Sequence, residues 1–302
     1  MNAIITTISS IVIMIFLGFF LKKINLLEEK DVNSLNKLVI NVFMPCMIFH
    51  TLINADLSLI SNFTFLPLVP FFSAIITGLV AYFILKYFKV SKEKIWSVLV
   101  TILICNTAFL GFPINLGVFG SEGLLRAIFC DIGTLLSFLS ISFILFLVFG
   151  GSLKNAIKRI LIFPPLWAVL LGLIFNFLNI SVGIIGENIL YYLASGAIPL
   201  IMISLGLSLD FSGLKWNISF IIFTSFFKLI FFPFVALFII SFFKISGLEF
   251  DVALIQAAMP SGMLGLVLAI NYELDYRLTS DCILFTTVFS LISLTILISF
   301  LY

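Results

Sequence analysis

Residues 106–113 read Asn106-Thr107-Ala108-Phe109-Leu110-Gly111-Phe112-Pro113, an amide, a hydroxyl, a glycine and a proline set inside an apolar run long enough to cross a bilayer. A second interruption, Pro260 to Leu266 with Ser261, Gly262 and Gly265, follows 154 positions later. An unpaired backbone group in hydrocarbon costs several kcal/mol, so helix breakers and side-chain amides coincide in lipid where an opened backbone lines a cavity. Two such stretches predict a binding site.

The composition is that of an integral membrane protein. Of 302 residues, 62% are hydrophobic and 10% charged, against about 45 to 50% and 25% in soluble domains. The net charge of +2 is spread over short connections, which excludes a nucleic-acid-binding tract. Cys46, Cys105, Cys130 and Cys282 all fall in apolar runs without metal-ligand spacing and read as small packed hydrophobes. No cofactor is expected, while coupling to a proton or sodium stays open. The first apolar run is followed, not preceded, by Lys22 and Lys23, the order of a first transmembrane helix with an outward N-terminus rather than a signal peptide.

Apolar runs of about 18 to 25 residues, the length that spans a bilayer, begin near Ile4, Val32, Phe65, Ile95 and Leu124, and again near Ile162, Ile189, Ile218, Val252 and Thr279. They predict an all-α integral membrane protein of ten transmembrane helices. Lysine and arginine concentrate in alternate connections: Lys22, Lys23, Lys30 and Lys37; Lys86, Lys89, Lys92 and Lys94; Lys154, Lys158 and Arg159; Lys215; and Arg277. The others carry only Arg126 and Lys244. Positive connections stay cytoplasmic, which puts both termini outside a multi-pass cell-membrane protein.

An offset of 154 superposes Gly18 on Gly172, Asn25 on Asn179, Pro45 on Pro199, Asp56 on Asp210, Ser58 on Ser212, Asn106 on Pro260, Thr107 on Ser261 and Gly111 on Gly265. Residues 1–150 and 151–302 thus read as two repeats of five helices each. An odd number of crossings inverts the second repeat, the plan of secondary transporters whose site lies where discontinuous helices meet at the midplane.

Proline lacks an N–H and its ring collides with the carbonyl four residues back. Pro113 is expected to free the carbonyl of Phe109 and Pro260 that of Gln256, while half-helix N-termini attract anions. Asn106, Thr107, Gln256 and Ser261 add donors and acceptors at that depth. Taken singly, either stretch could be a kinked helix with an interhelical amide contact. Their symmetric recurrence favours a site.

The stretch from Asn106 to Pro113, followed by Phe119-Gly120-Ser121-Glu122-Gly123, resembles the Asn-Thr-x-x-x-Gly-x-Pro and Phe-Gly-x-Glu-Gly signature of the auxin efflux carrier family, which includes plant PIN-type auxin transporters and bacterial malate and malonate permeases. Met259-Pro260-Ser261 is similar to the family's later Met-Pro motif, and Pro199 with Leu205-Gly206 to its seventh helix. The resemblance covers essentially the whole chain. It implies a fold of the sodium/proton antiporter (NhaA) type, with the fourth and ninth helices crossing at unwound centres. It also implies a scaffold of helices 1, 2, 6 and 7 and a moving domain of helices 3–5 and 8–10. Plant members carry a long loop between the halves, whereas here only Gly150 to Arg159 intervenes. Regulation by loop phosphorylation is therefore not carried over, and auxin is disfavoured as the substrate.

Lys228 sits near the centre of the eighth predicted helix, where an unpaired cation costs about 2.5 to 3.5 kcal/mol on insertion scales. Two readings stand: an ion pair with Asp131 on the fifth helix, or attraction of an anionic substrate. Asp131 either carries a coupling proton or is simply paired. His50, the lone histidine, reads as a packed or interfacial residue. Glu122, Glu187, Asp56 and Asp210 lie near helix ends, where capping or solvation is expected, and Trp96 and Trp216 suit a cytoplasmic interfacial belt.

These readings converge on a secondary transporter that moves a small organic anion such as malate or malonate by elevator-type alternating access. The expected site is Asn106, Thr107, Gly111, Pro113, Gln256, Pro260, Ser261, Gly262 and Lys228, with Asp131 for coupling. Pro45 and Pro199 are expected to act mechanically. The expected partners are the anion, the lipid bilayer and a second copy joined through the scaffold helices. A passive channel or facilitator on the same fold is the alternative. A membrane enzyme or sensor is disfavoured, because the helices hold no paired acidic motif and no soluble output domain follows.

Overall fold

Local sequence sets where each helix starts, widens and stops. The structure, a computed structural model, describes residues 2–150, 158, 161–209 and 217–301. The helices among these are α1 (Asn2–Lys23), α2 (Glu29–Leu38), α3 (Met44–Ile53), α4 (Ile60–Phe63), α5 (Leu68–Tyr87), α6 (Lys92–Leu103) and α7 (Phe112–Phe149). After the midpoint come α8 (Pro164–Phe177), α9 (Gly183–Leu207), α10 (Ile218–Phe226), α11 (Phe232–Phe242), α12 (Leu248–Ala257), α13 (Leu264–Asn271) and α14 (Tyr276–Leu301). Among the described residues six spans are long and apolar enough to cross a membrane, including 107–149, 183–207 and 276–301, and α8 is a shorter apolar helix.

Three prolines explain three local widenings. Pro45, Pro113 and Pro233 each follow a π-turn, at Val39–Phe43, Thr107–Gly111 and Phe227–Phe231. In these turns the amides of Met44, Gly111 and Phe232 bond the carbonyls five residues back, on Val39, Asn106 and Phe227. The wider turn moves the carbonyl that proline would strike, so the chain stays helical through all three prolines. Only α2, α10 and the fourth predicted span are affected, and each continues on the far side.

The ends and the middle differ in detail from the sequence expectations. The stretch α7 is two helices that meet at Gly120, whose φ +67° and ψ −158° are not helical and suit glycine, close to the expected start of the fifth helix near Leu124. The seventh helix starts at Gly183, ahead of the expected Ile189. Asn25 and Asn179, superposed by the repeat offset, both take left-handed φ, +57° and +53°, just past α1 and α8, the αL stop that Asn tolerates.

Packing sorts the helices into two groups. α1 lies along α9, and α3 lies along both α8 and α9. Small residues permit this closeness: a Cβ on Gly206 would overlap the Ile15 carbonyl, and one on Gly172 would come within 2.7 Å of Leu52. The second group joins α5 to α6, α7 and α11, and joins α14 to α6, α10 and α13. The expectations at Lys154, Arg159, Asp210, Ser212, Lys215 and Trp216 fall outside the described residues.

Candidate functional site

The fourth predicted span opens after Leu103, where Ile104 turns extended at φ −105° and ψ 114°. The ninth opens after Ala257, at the end of α12. The two open segments lie against each other as an antiparallel bridge between Cys105 and Ser261. The Asn106 amide donates to the Pro260 carbonyl and the Gly262 amide to the Ile104 carbonyl, both at 2.8 Å. Backbone groups that leave their own helices thus satisfy each other, which is what an open chain needs away from water. Glycine makes the approach feasible, since a Cβ on Gly262 would sit 2.7 Å from the Cys105 carbonyl oxygen and one on Gly265 2.8 Å from that of Val100. Gly111 packs directly on the Gln256 carboxamide.

The crossing floors a cavity of about 340 Å³. Its walls include Asn106, Thr107, Ala108 and Phe109 from the first break and Gly262, Met263 and Leu264 from the second. These are the opening residues of the half-helices that follow each break, whose N-terminal ends carry the positive end of the helix dipole. Asp131 and Thr134 of α7 also line it, as do Asn33 and Asn36 of α2. Thr107 Oγ1 donates to Asp131 Oδ1. Asn106 is 4% exposed and its Nδ2 has no partner in the protein.

The expected site residues therefore divide. Asn106, Thr107, Gly262 and Asp131 face the cavity. Gly111, Pro113, Gln256, Pro260 and Ser261 are buried behind it as the framework of the crossing. Gln256 Nε2 reaches the Ala127 carbonyl at 3.4 Å, and Gln256 Oε1 and Ser261 Oγ are buried without partners. Pro260 does not leave the Gln256 carbonyl free as expected, because α12 has already ended and the Met259 amide takes it at 3.4 Å.

Lys228 does not pair with Asp131. Fully buried in the π-turn ahead of Pro233, it donates to the Ile102 carbonyl at 3.1 Å and contacts Cys105 Sγ at 2.7 Å. Its ammonium lies 4.1 Å from the centre of the Phe232 ring. Ile102 belongs to the last turn of α6, whose carbonyls lack helical partners and favour a cation. Lys228 thus caps the half-helix end at the first break, behind the cavity.

Arg126 also departs from expectation. It is a buried helical residue rather than a loop charge, bonding Glu249 of α12 at 2.9 and 3.0 Å and Glu122 at 2.6 Å. Glu122 is therefore ion-paired, and Arg126 ties α7 to α12 beside the crossing. Asp56 does cap, accepting from the Ser58 amide at 2.9 Å, and this bond holds its carboxyl below the usual range. His50 lies 3.7 Å from Glu187 and lines a separate cavity of about 410 Å³ with Glu122, Asn54 and Tyr191. Trp96 packs on Tyr82 and Phe149. Pro45 follows a π-turn and Pro199 lies inside α9, both away from the cavity walls.

Asn33 and Asn36 were not among the expected site residues. Their signal is visible afterwards: two amides one turn apart at the start of an apolar span, without a helix breaker between them to draw attention.

An open-backbone crossing against a cavity that Asn106, Thr107 and Asp131 line, inside apolar helices, is the construction of a membrane transporter. A family model described as "Membrane transport protein" matches the chain twice, over residues 3–150 and 148–298. The chain is 42% identical to an uncharacterized transporter of Methanothermobacter thermautotrophicus over 288 residues, 95% of either chain. It is 38% identical to an uncharacterized transporter of Methanocaldococcus jannaschii, over 93% of this chain and 94% of that one. The chain belongs to this family of membrane transport proteins, the auxin efflux carriers.

Proposed function

We propose that the protein is a secondary transporter that carries a small organic anion, of the size of malate or malonate, through the cavity at the crossing. The observation that carries this reading is the cavity wall itself. The positive ends of two half-helices and the unpartnered Asn106 amide meet there beside Asp131. Donors and dipole ends suit a carboxylate, whereas a charged Asp131 next to it would repel the substrate. A proton on Asp131 removes that repulsion, so anion and proton would travel together.

The proposed architecture is ten crossings in two inverted repeats, 1–150 and 151–302, of the NhaA type. The double family match and the paired left-handed stops at Asn25 and Asn179 support it. In this scheme α6 with the start of α7 forms the fourth helix, the rest of α7 the fifth, and α12 with α13 the ninth. The α1, α2, α3, α8 and α9 group would be the scaffold, also the surface for pairing two copies, and the other helices would move against it. Both termini would face outward from the cell membrane. Lys228 would act on the substrate only through the field it adds behind the first break.

Counterflow of labelled malonate or malate in proteoliposomes tests the reading. Saturable exchange that an inward proton gradient accelerates is expected. Flux that never saturates, with single-channel currents in planar bilayers, would replace the carrier with a passive channel.

A further inference from the structure

The cavity carries a second set of amides that neither break supplies. Asn33 and Asn36 lie one turn apart on α2 and both line it. Asn36 is held from another helix: the hydroxyl of Ser204, a buried residue of α9, donates to Asn36 Oδ1 at 2.7 Å. With its oxygen committed, the amide has its two N–H donors left to present. Among the described residues no acceptor engages them, and no lysine or arginine lines the cavity. Acceptor groups on a ligand therefore meet amide donors in two places, Asn106 at the crossing and Asn36 on α2.

We infer that Asn36, positioned by Ser204, is a specificity-determining residue that binds a second acceptor group on the transported anion. The cavity then selects a short acid with acceptors at both ends over a monocarboxylate of equal length. This rests on the proposal that the cavity carries an organic anion. The physical reason is that a site built to hydrogen-bond a group rejects the analogue lacking it, because its own donors are left unpaired. Because α2 packs along α9, the contact ties substrate to the proposed scaffold. It must break when the other helices move, so Asn36 should tighten binding more than it speeds turnover.

Malonate and propionate have the same three-carbon chain and differ in the second carboxylate. Their apparent KM or competition constant would be measured by uptake into proteoliposomes, and their thermal stabilisation of purified protein recorded alongside, for wild type, Asn36→Leu and Ser204→Ala. The wild type is expected to prefer malonate by about tenfold or more. Asn36→Leu should bring the ratio close to one by weakening malonate far more than propionate. Ser204→Ala, which frees the amide to rotate, should fall between, and it carries the test if Asn36→Leu does not fold. A ratio unchanged in both variants, or equal weakening of both acids, overturns the assignment and leaves Asn36 as a tie between α2 and α9. If neither acid binds the wild type, the anion-carrier reading fails and the role of Asn36 with it.

Discussion

The two breaks share a backbone plan and differ in chemistry. Each opens a helix, and each gives one amide and one carbonyl to the other at 2.8 Å. The first, however, turns Asn106 and Thr107 into the cavity, reaches Asp131 through Thr107, and is capped from behind by Lys228. The second turns its equivalent residues inward: Pro260 supplies only a carbonyl, and the Ser261 hydroxyl is buried without a partner. What the second break and the half-helix after it give the cavity is Gly262 and the apolar side chains of Met263, Leu264, Leu266, Val267 and Ile270. The two copies share the backbone plan of the crossing, while the polar groups proposed to recognise a ligand are concentrated on one of them.

The largest effect is expected where the elements carrying the two breaks are tied together. Arg126→Ala removes the cation that joins Glu122 and Glu249 and strands a largely buried carboxylate, at about 3 to 5 kcal/mol. Purified Arg126→Ala should show a markedly lower thermal unfolding midpoint, and Glu249→Gln a smaller drop. Equal stability of Arg126→Ala and wild type would mean that α7 and α12 are held by packing alone.

Breaking the crossing itself comes next. Gly262→Val pushes a branched side chain against the Cys105 carbonyl, a backbone atom that cannot swing aside, and overpacking of this kind costs about 1 to 3 kcal/mol. The midpoint should fall and transport should be lost together. Retained uptake would show that the two open segments need not touch.

A sharper difference is expected in pH dependence. Asp131 lines the cavity and Thr107 donates to it, so Asp131→Asn should abolish the acceleration of malonate uptake by an inward proton gradient while leaving the folded protein intact. Proton-driven uptake that persists in Asp131→Asn would move the coupling to another group.

Much of the fold was legible in the sequence because lipid simplifies the code. Breakers and amides recurring at matched depths favoured opened helices over simple kinks, and the offset that paired Asn25 with Asn179 found two residues with the same left-handed stop. What was not legible is how the fourth and fifth spans meet, through a single non-helical residue at Gly120 with no loop between them. Side-chain direction was the other blind spot. Sequence depth left Lys228 either paired with Asp131 or facing a substrate, yet the π-turn ahead of Pro233 aims it at the Ile102 carbonyl. Residue type likewise marked Gln256, Pro260 and Ser261 as ligand groups, although the crossing buries them as its own framework.

The smallest effect is expected at Ser261, whose hydroxyl satisfies nothing in the protein. Ser261→Ala should change stability by no more than about 1 kcal/mol and uptake by less than about twofold. That expectation sets up the most direct test of the asymmetry: initial rates of malonate uptake by Asn106→Ala and Ser261→Ala, reconstituted side by side at equal insertion. The account predicts that Asn106→Ala loses at least about nine-tenths of the rate, as removal of a donor to a charged group implies, while Ser261→Ala keeps most of it. Equal loss in both, or a larger loss in Ser261→Ala, would contradict the claim that, of the two breaks, the first carries the recognition chemistry.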